Sequence, residues 1–114
     1  QDTNNARTKT LKSPDVESYG DSGISKQTLD NVRKAMLGVT HNENGTANYM
    51  YRDYKVKVAA KTGTAENSGS DHTTFICYAP YEKPEVAIAV VIEHGAKGRY
   101  SMQVAKDLLD AYFN

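Results

Sequence analysis

Four consecutive residues combine one positive charge with two hydroxyl groups. Lys61 supplies the charge, and Thr62 and Thr64 supply hydroxyls on either side of Gly63. The segment ends an alternating strand and precedes a polar loop, a position from which a sheet can present side chains to a cleft. Lys-Thr-Gly alone is a weak signal, because three common residues occur together by chance and a strand terminus with a turn glycine explains them more simply.

The remaining reactive side chains indicate no second site. His72 and His94 lack cysteine, aspartate and glutamate residues at metal-ligand spacing, so we predict no metal site. Cys77 is the only cysteine and lies in an apolar run, which predicts a buried, unreactive thiol and no intrachain disulfide. Three tyrosines between positions 49 and 54 would form either a stacking platform or packing under the first strand. We interpret them as packing, because the neighbouring charges form no basic groove.

The polar start of the chain gives way to a helix. Residues 1–23 carry few apolar groups, which predicts a linker or an extended surface segment, and residues 24–114 then form the structured part. Ser25 occupies an N-cap position, and apolar residues at helical spacing predict a helix over residues 26–37. Gly38 supplies a helix stop, after which the residues favour a turn.

Three strands are predicted next. Residues 55–61 alternate between apolar residues and lysine, which predicts a half-buried strand. A polar loop over residues 66–72 separates it from a second strand over residues 73–79, which is apolar on both faces. Residues 86–92 form an unbroken apolar run typical of a central strand. Short connections between strands of similar length predict an antiparallel meander.

The last element predicted is a helix capped by Ser101. Its apolar face would comprise Val104, Ala105, Leu108, Leu109 and Tyr112. The order helix, three strands, helix predicts an α+β fold, in which the N-terminal and C-terminal helices pack together on one face of an antiparallel sheet.

Charge and hydropathy exclude two classes of function. The chain has 14 basic and 14 acidic residues and therefore no net charge, which argues against a nucleic-acid partner. It has no apolar run long enough to span a bilayer, so we expect the chain itself to be soluble, with any signal or anchor upstream of Gln1. Its 114 residues match one domain or one piece of a larger domain.

Four stretches of sequence are more informative together than the Lys-Thr-Gly triplet. They read GTA at 45–47, KTGTAE at 61–66, TFICYAP at 74–80 and VAIAVV at 86–91. In this order they resemble the C-terminal part of the transpeptidase domain of class B penicillin-binding proteins. These proteins belong to the superfamily of serine β-lactamases and transpeptidases, in which Lys-Thr-Gly is one of three signatures.

The resemblance implies a peptidoglycan D,D-transpeptidase that binds β-lactams and uses no cofactor. In that family a serine attacks the penultimate D-alanine carbonyl of a stem peptide, and an amine of a neighbouring strand accepts the acyl group. The resemblance assigns Lys61, Thr62 and Thr64 to the substrate carboxylate, and Lys61 also to nearby proton transfers. It places the N–H of Thr64 in the oxyanion hole. Gly63 would leave the floor of the cleft open to substrate.

The other two signatures of the family, Ser-x-x-Lys and Ser-x-Asn, do not occur in the sequence. We therefore expect the chain alone to be inactive and to require the N-terminal remainder of the domain, which would carry both motifs. Without that partner, exposed apolar surface would favour self-association. The resemblance also implies a location at the extracytoplasmic face of the bacterial cytoplasmic membrane, with the anchor upstream.

Two alternatives stay open at this point. The chain could be part of a serine β-lactamase or of a β-lactam sensor, which share the same superfamily. It could also be a noncatalytic module that binds an extended peptide along an exposed strand edge.

Overall fold

The computed structural model describes residues 15, 17 and 20–114. The elements follow in the order α1 (Lys26–His41), α2 (Asn48–Tyr51), β1 (Ala59–Ala65), β2 (His72–Ala79), β3 (Val86–Ile92) and α3 (Arg99–Phe113). The strands form one antiparallel sheet in the order β1-β2-β3, which confirms the predicted α+β fold and meander. The predicted linker over residues 1–23 falls largely outside the described residues and stays a prediction. No helix in the described part of the chain combines the length and the apolarity needed to cross a membrane.

Helix α1 begins where predicted but ends at His41 instead of stopping at Gly38. The side-chain oxygen of Ser25 caps its first turn by accepting a backbone N–H. At the other end, the N–H of Asn42 donates to the carbonyl of Gly38 (3.1 Å). The longer helix buries Thr40, whose hydroxyl donates to a carbonyl just ahead of β1. These contacts outweigh the cost of an internal glycine, about 1 kcal/mol.

Strand β1 begins and ends later than the strand predicted over residues 55–61. The carbonyls of residues 57–58 accept hydrogen bonds from the backbone N–H of Tyr81 and from the hydroxyl of Thr40, so they do not join the sheet. Pairing with β2 continues through the whole Lys-Thr-Gly segment, which places Lys61 within the strand and not at its end. Alternation predicted which side chains face the core, but it did not predict which backbone groups pair.

The two helices lie on opposite faces of the sheet. Phe75 marks the face that packs against α3, where Leu109 is fully buried; we call it the α3 face. Ile76 marks the other face, which we call the α1 face. There the Arg33 guanidinium of α1 donates to the hydroxyl of Tyr78 (3.3 Å). The prediction that both helices share one face is wrong: α1 packs on β1 at the face that Ile76 marks, whereas α3 packs on β2 and β3 at the opposite face.

Helix α3 begins at Arg99, ahead of the predicted cap. Ser101 lies inside the first turn, and its hydroxyl donates to the carbonyl of Gly98 (2.9 Å) instead of accepting an N–H. The buried side chains of the helix are those of Ser101, Met102, Ala105 and Leu109. The predicted apolar face is therefore only partly correct, because its other members, Val104, Leu108 and Tyr112, are exposed.

The short helix α2, which the sequence pattern did not predict, carries a tyrosine into the core. Tyr51 is fully buried, its ring stacks on Phe75 at a centroid distance of 5.6 Å, and its hydroxyl donates to the carbonyl of Met102 (2.7 Å). Tyr54 packs against the same core, whereas Tyr49 is 63% exposed. The interpretation as packing is confirmed for Tyr51 and Tyr54 and is wrong for Tyr49.

Candidate functional site

Strand β1 is an edge strand, and it carries all four predicted site residues. In the described part of the chain it pairs only with β2, so its outer edge presents backbone N–H and C=O groups that no strand of this sheet uses. Such an edge can add an extended peptide as a further strand. The Lys-Thr-Gly segment is therefore placed where a peptide ligand can reach its backbone.

The pleat of β1 separates the site residues between the two faces. Lys61 and Gly63 point to the α1 face, because they pair with Ile76 and Thr74 of β2. Thr62 and Thr64 point to the α3 face. The four residues therefore share the free edge of the strand but do not project from one side of it, and a ligand must lie along the edge to meet both sets.

Lys61 lines a groove of about 310 Å³ between β1 and the end of α1. Ala35 and Val39 of α1 form one wall, and the turn over residues 42–46 forms the other. The ammonium of Lys61 donates to the carbonyl of Thr62 (2.5 Å). No carboxylate among the described residues forms a salt bridge with it. The charge is thus available to an anionic ligand in the groove.

Thr46 is a member of the site that the prediction did not include. It lines the groove with Lys61, and its hydroxyl oxygen lies 3.1 Å from that of Thr62. Gly45 makes this placement possible, because a Cβ there would collide with the carbonyl oxygens of α1. The sequence contained a signal, since Thr46 follows an Asn-Gly turn and lies in one of the four informative stretches, but only the fold brings its hydroxyl to β1.

The space beside Gly63 is filled by a neighbouring side chain. A Cβ built on Gly63 would collide with the hydroxyl oxygen of Thr74 on β2. The structure therefore gives a packing reason for glycine at this position: β2 places a branched side chain directly opposite. The expected role of Gly63 in leaving the cleft open stays a prediction.

The histidines and the cysteine do not join this site. His72 and His94 lie together at the end of the sheet, where the backbone N–H of His94 donates to the Nδ1 of His72 (2.9 Å). Cys77 is only 3% exposed, and burial raises the pKa of its thiol to about 12. A neutral thiol at ordinary pH is a poor nucleophile, in agreement with the predicted unreactive cysteine.

The geometry provides a cation and three hydroxyl groups at a free strand edge. Lys61 supplies the cation, and Thr46, Thr62 and Thr64 supply the hydroxyls. This arrangement can bind a carboxylate at the end of an extended peptide, because charge-assisted hydrogen bonds fix the carboxylate and the strand edge fixes the peptide backbone. It contains no activated nucleophile of its own among the described residues.

Comparison with known proteins identifies the family. Residues 5–110 match the family profile described as the penicillin binding protein transpeptidase domain. The chain is 31% identical over 95 residues to the peptidoglycan D,D-transpeptidase MrdA of Escherichia coli K12, covering 69% of the chain and 15% of that protein. It is 30% identical over 123 residues to the MrdA of Salmonella typhimurium, covering 87% of the chain and 20% of that protein. The chain thus spans a minor part of these relatives.

Solved structures show the same relationship. Penicillin-binding protein 2B of Streptococcus pneumoniae superposes with a TM-score of 0.74 at 26% identity, over 82% of this chain and 17% of that one. PBP2 of Pseudomonas aeruginosa superposes with a TM-score of 0.67 at 34% identity, over 73% of this chain and 18% of that one. The family profile, the curated relatives and the solved structures agree: the chain belongs to the transpeptidase domain family of the class B penicillin-binding proteins.

Proposed function

We propose that the chain is the C-terminal subdomain of a peptidoglycan D,D-transpeptidase that also binds β-lactams. The observation that carries this proposal is the position of Lys61, which has no salt-bridge partner among the described residues and lies in a groove beside the hydroxyl pair of Thr46 and Thr62. The free edge of β1 would take the stem peptide as an added strand. Lys61, Thr62 and Thr64 would then bind its terminal carboxylate.

In the proposed reaction this chain supplies binding and electrostatic groups, and the nucleophile comes from elsewhere in the protein. A serine oxygen bonds to the carbonyl carbon of the penultimate D-alanine, and the bond to the nitrogen of the terminal D-alanine breaks. The amine of a second peptide then attacks the acyl-serine, forms the cross-link and restores the serine hydroxyl. The N–H of Thr64 would stabilise the oxyanion in both steps, together with the N–H of the serine.

The remainder of the domain is the proposed partner of this chain. It would carry the Ser-x-x-Lys and Ser-x-Asn motifs and face Lys61 across the groove. Two observations support this partner. The chain covers about 15% of the Escherichia coli MrdA, and the α1 face leaves apolar side chains uncovered. Ile76 is 47% exposed and Val91 is 67% exposed. Side chains of this kind need a covering surface, and without the remainder of the domain the chain would self-associate.

The proposed location follows from the proposed substrate. Peptidoglycan is cross-linked outside the cytoplasmic membrane of bacteria, and the two MrdA relatives are bacterial proteins. We therefore place the active protein at the extracytoplasmic face of that membrane, with its anchor upstream of this chain.

A labelled penicillin tests the proposal. The 114-residue chain alone should remain unlabelled, and the protein that contains the chain together with its upstream Ser-x-x-Lys segment should form a stable acyl-enzyme. In the longer protein Lys61→Met should slow acylation, and Lys57→Met is its matched control, since Lys57 forms a surface ion pair with Glu82 (2.7 Å) away from the groove. Acylation of the isolated chain would overturn the assignment of roles.

A noncatalytic peptide-binding module is the second candidate, and the free edge of β1 is the observation in its favour. The same experiment separates the two. A peptide-binding module would bind extended peptides without forming a covalent penicillin adduct, with or without the upstream segment, whereas a transpeptidase would form the adduct once the upstream segment is present.

A further inference from the structure

The first turn of α3 and the short helix α2 border a second, open pocket, separate from the Lys61 groove. The buried hydroxyl of Tyr51 on α2 donates to the carbonyl of Met102 (2.7 Å) and holds the two helices together. A pocket of about 270 Å³ lies between them, lined by Tyr49, Met50, Arg99, Tyr100 and Gln103. We call it the α2–α3 pocket.

The walls of the α2–α3 pocket are aromatic and positively charged. Tyr49 and Tyr100 are both exposed, and the guanidinium of Arg99 lies 5.0 Å from the ring centroid of Tyr100. Arg99 also donates to the hydroxyl of Tyr100 (3.3 Å), which lowers the pKa of that phenol, and Lys97 adds a second positive charge nearby. Within the described part of the chain, no carboxylate forms a salt bridge with Arg99 or Lys97.

This combination is complementary to a carboxylate carried on an apolar stem. Arginine binds carboxylates with two parallel hydrogen bonds, and tyrosine rings contact the methylene groups beside such a carboxylate. An acidic side chain of a peptide has this chemistry. A neutral apolar group would leave the guanidinium without an anionic partner, and a cationic group would be repelled by it.

The α2–α3 pocket is within reach of a peptide bound along β1. Thr46, whose hydroxyl touches Thr62 of β1, precedes Tyr49 by three residues, a span of at most roughly 11 Å between Cα atoms. In addition, β1 and β3 run in the same direction, so α3 starts at the end of the sheet where β1 ends. A peptide whose terminal carboxylate lies at the hydroxyl pair, and whose chain runs from there toward the end of β1, therefore approaches Arg99.

We propose that the α2–α3 pocket binds a side-chain carboxylate of the stem peptide and contributes to substrate selection. The inference rests on the proposed transpeptidase function and deepens it. It assigns Arg99 to the carboxylate, and Tyr49 and Tyr100 to the stem that carries it. β-Lactams are too short to bring such a side chain with them, so the pocket selects peptides without affecting acylation by penicillin.

The test uses the complete transpeptidase protein and two peptide substrates that differ in one group. One peptide carries a free side-chain carboxylate, and in the other that carboxylate is amidated. The unmodified protein should prefer the free carboxylate by about tenfold in kcat/KM, the range of one charge-assisted interaction. Arg99→Gln should abolish this preference, and Lys97→Gln should reduce it.

The controls separate this inference from the proposed function. Arg52→Gln removes an arginine that pairs with Asp53 (3.1 Å) at the end of α2, and it should retain the preference. Penicillin acylation should be unchanged in all variants, and this result also shows that the variants fold. If Arg99→Gln is not acylated, the test rests on whether Lys97→Gln reduces the preference for the free carboxylate. A preference that survives both substitutions, or a protein without any preference, would overturn the inference. An unmodified protein that penicillin does not acylate would overturn the proposed function, and the inference with it.

Discussion

The hydroxyl oxygens of Thr46 and Thr62 lie 3.1 Å apart, although the two residues are 16 positions apart in the sequence. The contact joins the turn ahead of α2 to the free edge of β1. It restricts the hydroxyl of Thr62, one of the groups proposed to bind the substrate carboxylate. Thr46 is therefore a positioning residue in the proposed site, and the turn over residues 42–46 contributes to the site by holding Thr46 in place.

Replacing Thr46 with valine should slow acylation by penicillin in the complete protein by roughly two- to tenfold. The reason is the loss of one neutral hydrogen bond, which contributes about 0.5–1.5 kcal/mol. Thr46→Ser keeps the hydroxyl and should retain most of the rate. Because Thr46 acts through Thr62, the double variant with Thr62→Val should be little worse than Thr62→Val alone; additive losses would show that the two residues act independently.

Removing the charge of Lys61 should have a larger effect. Lys61→Met keeps the length of the side chain and should lower the acylation rate by about ten- to a hundredfold, the range expected for a charge-assisted hydrogen bond of about 1.5–3 kcal/mol. Lys61→Arg keeps the positive charge, and its acylation rate should fall between that of the unmodified protein and that of Lys61→Met. Stopped-flow acylation with penicillin measures the rates. A rate unaffected by Lys61→Met would remove this residue from the proposed site.

Gly63→Ala should destabilise the protein through a clash with Thr74. The added Cβ would collide with the hydroxyl oxygen of Thr74, and overpacking of this kind costs about 1–3 kcal/mol of unfolding free energy. Thr74→Ala removes that oxygen, so the double variant should recover at least half of the loss in urea denaturation. Thr74→Ser keeps the oxygen and should give no recovery. Equal stability of Gly63→Ala and the unmodified protein would contradict the packing explanation.

Burial of Cys77 predicts a loss of stability in alkaline solution. Burial raises the thiol pKa from 9.0 to about 12. Between these values the unfolded chain loses the proton and the folded chain keeps it, so the free energy of unfolding should fall with rising pH by up to about 1.4 kcal/mol for each pH unit. This contribution is fully present below pH 9 and should be absent from Cys77→Ala.

Alkylation provides an independent measurement of the same burial. At pH 8, iodoacetamide should modify Cys77 in the native protein at least a hundredfold more slowly than in the urea-unfolded chain, because the thiolate is nearly absent from the folded state. Similar alkylation rates in the two states would show that the thiol is accessible.

Local patterns determined the elements whose signals lie close together in the sequence. The unbroken apolar run predicted β3 with its observed bounds, and Ser25 predicted the start of α1. The meander followed from short connections. The Lys-Thr-Gly segment and the three other informative stretches were sufficient to identify the family. Each of these signals consists of residue types and spacings along the chain, so no contact between distant residues was needed to interpret it.

The tertiary structure decided what depends on contacts between distant residues. It shifted β1, because the carbonyls ahead of that strand bond to Tyr81 and Thr40 and not to a strand. It placed α1 and α3 on opposite faces of the sheet and set Lys61 on the face opposite Thr62. It also brought Thr46 to Thr62 and Tyr49 to Arg99. The spacing of apolar residues along the chain does not predict such pairs, because these contacts form, and contribute to stability, only when distant parts of the chain fold together.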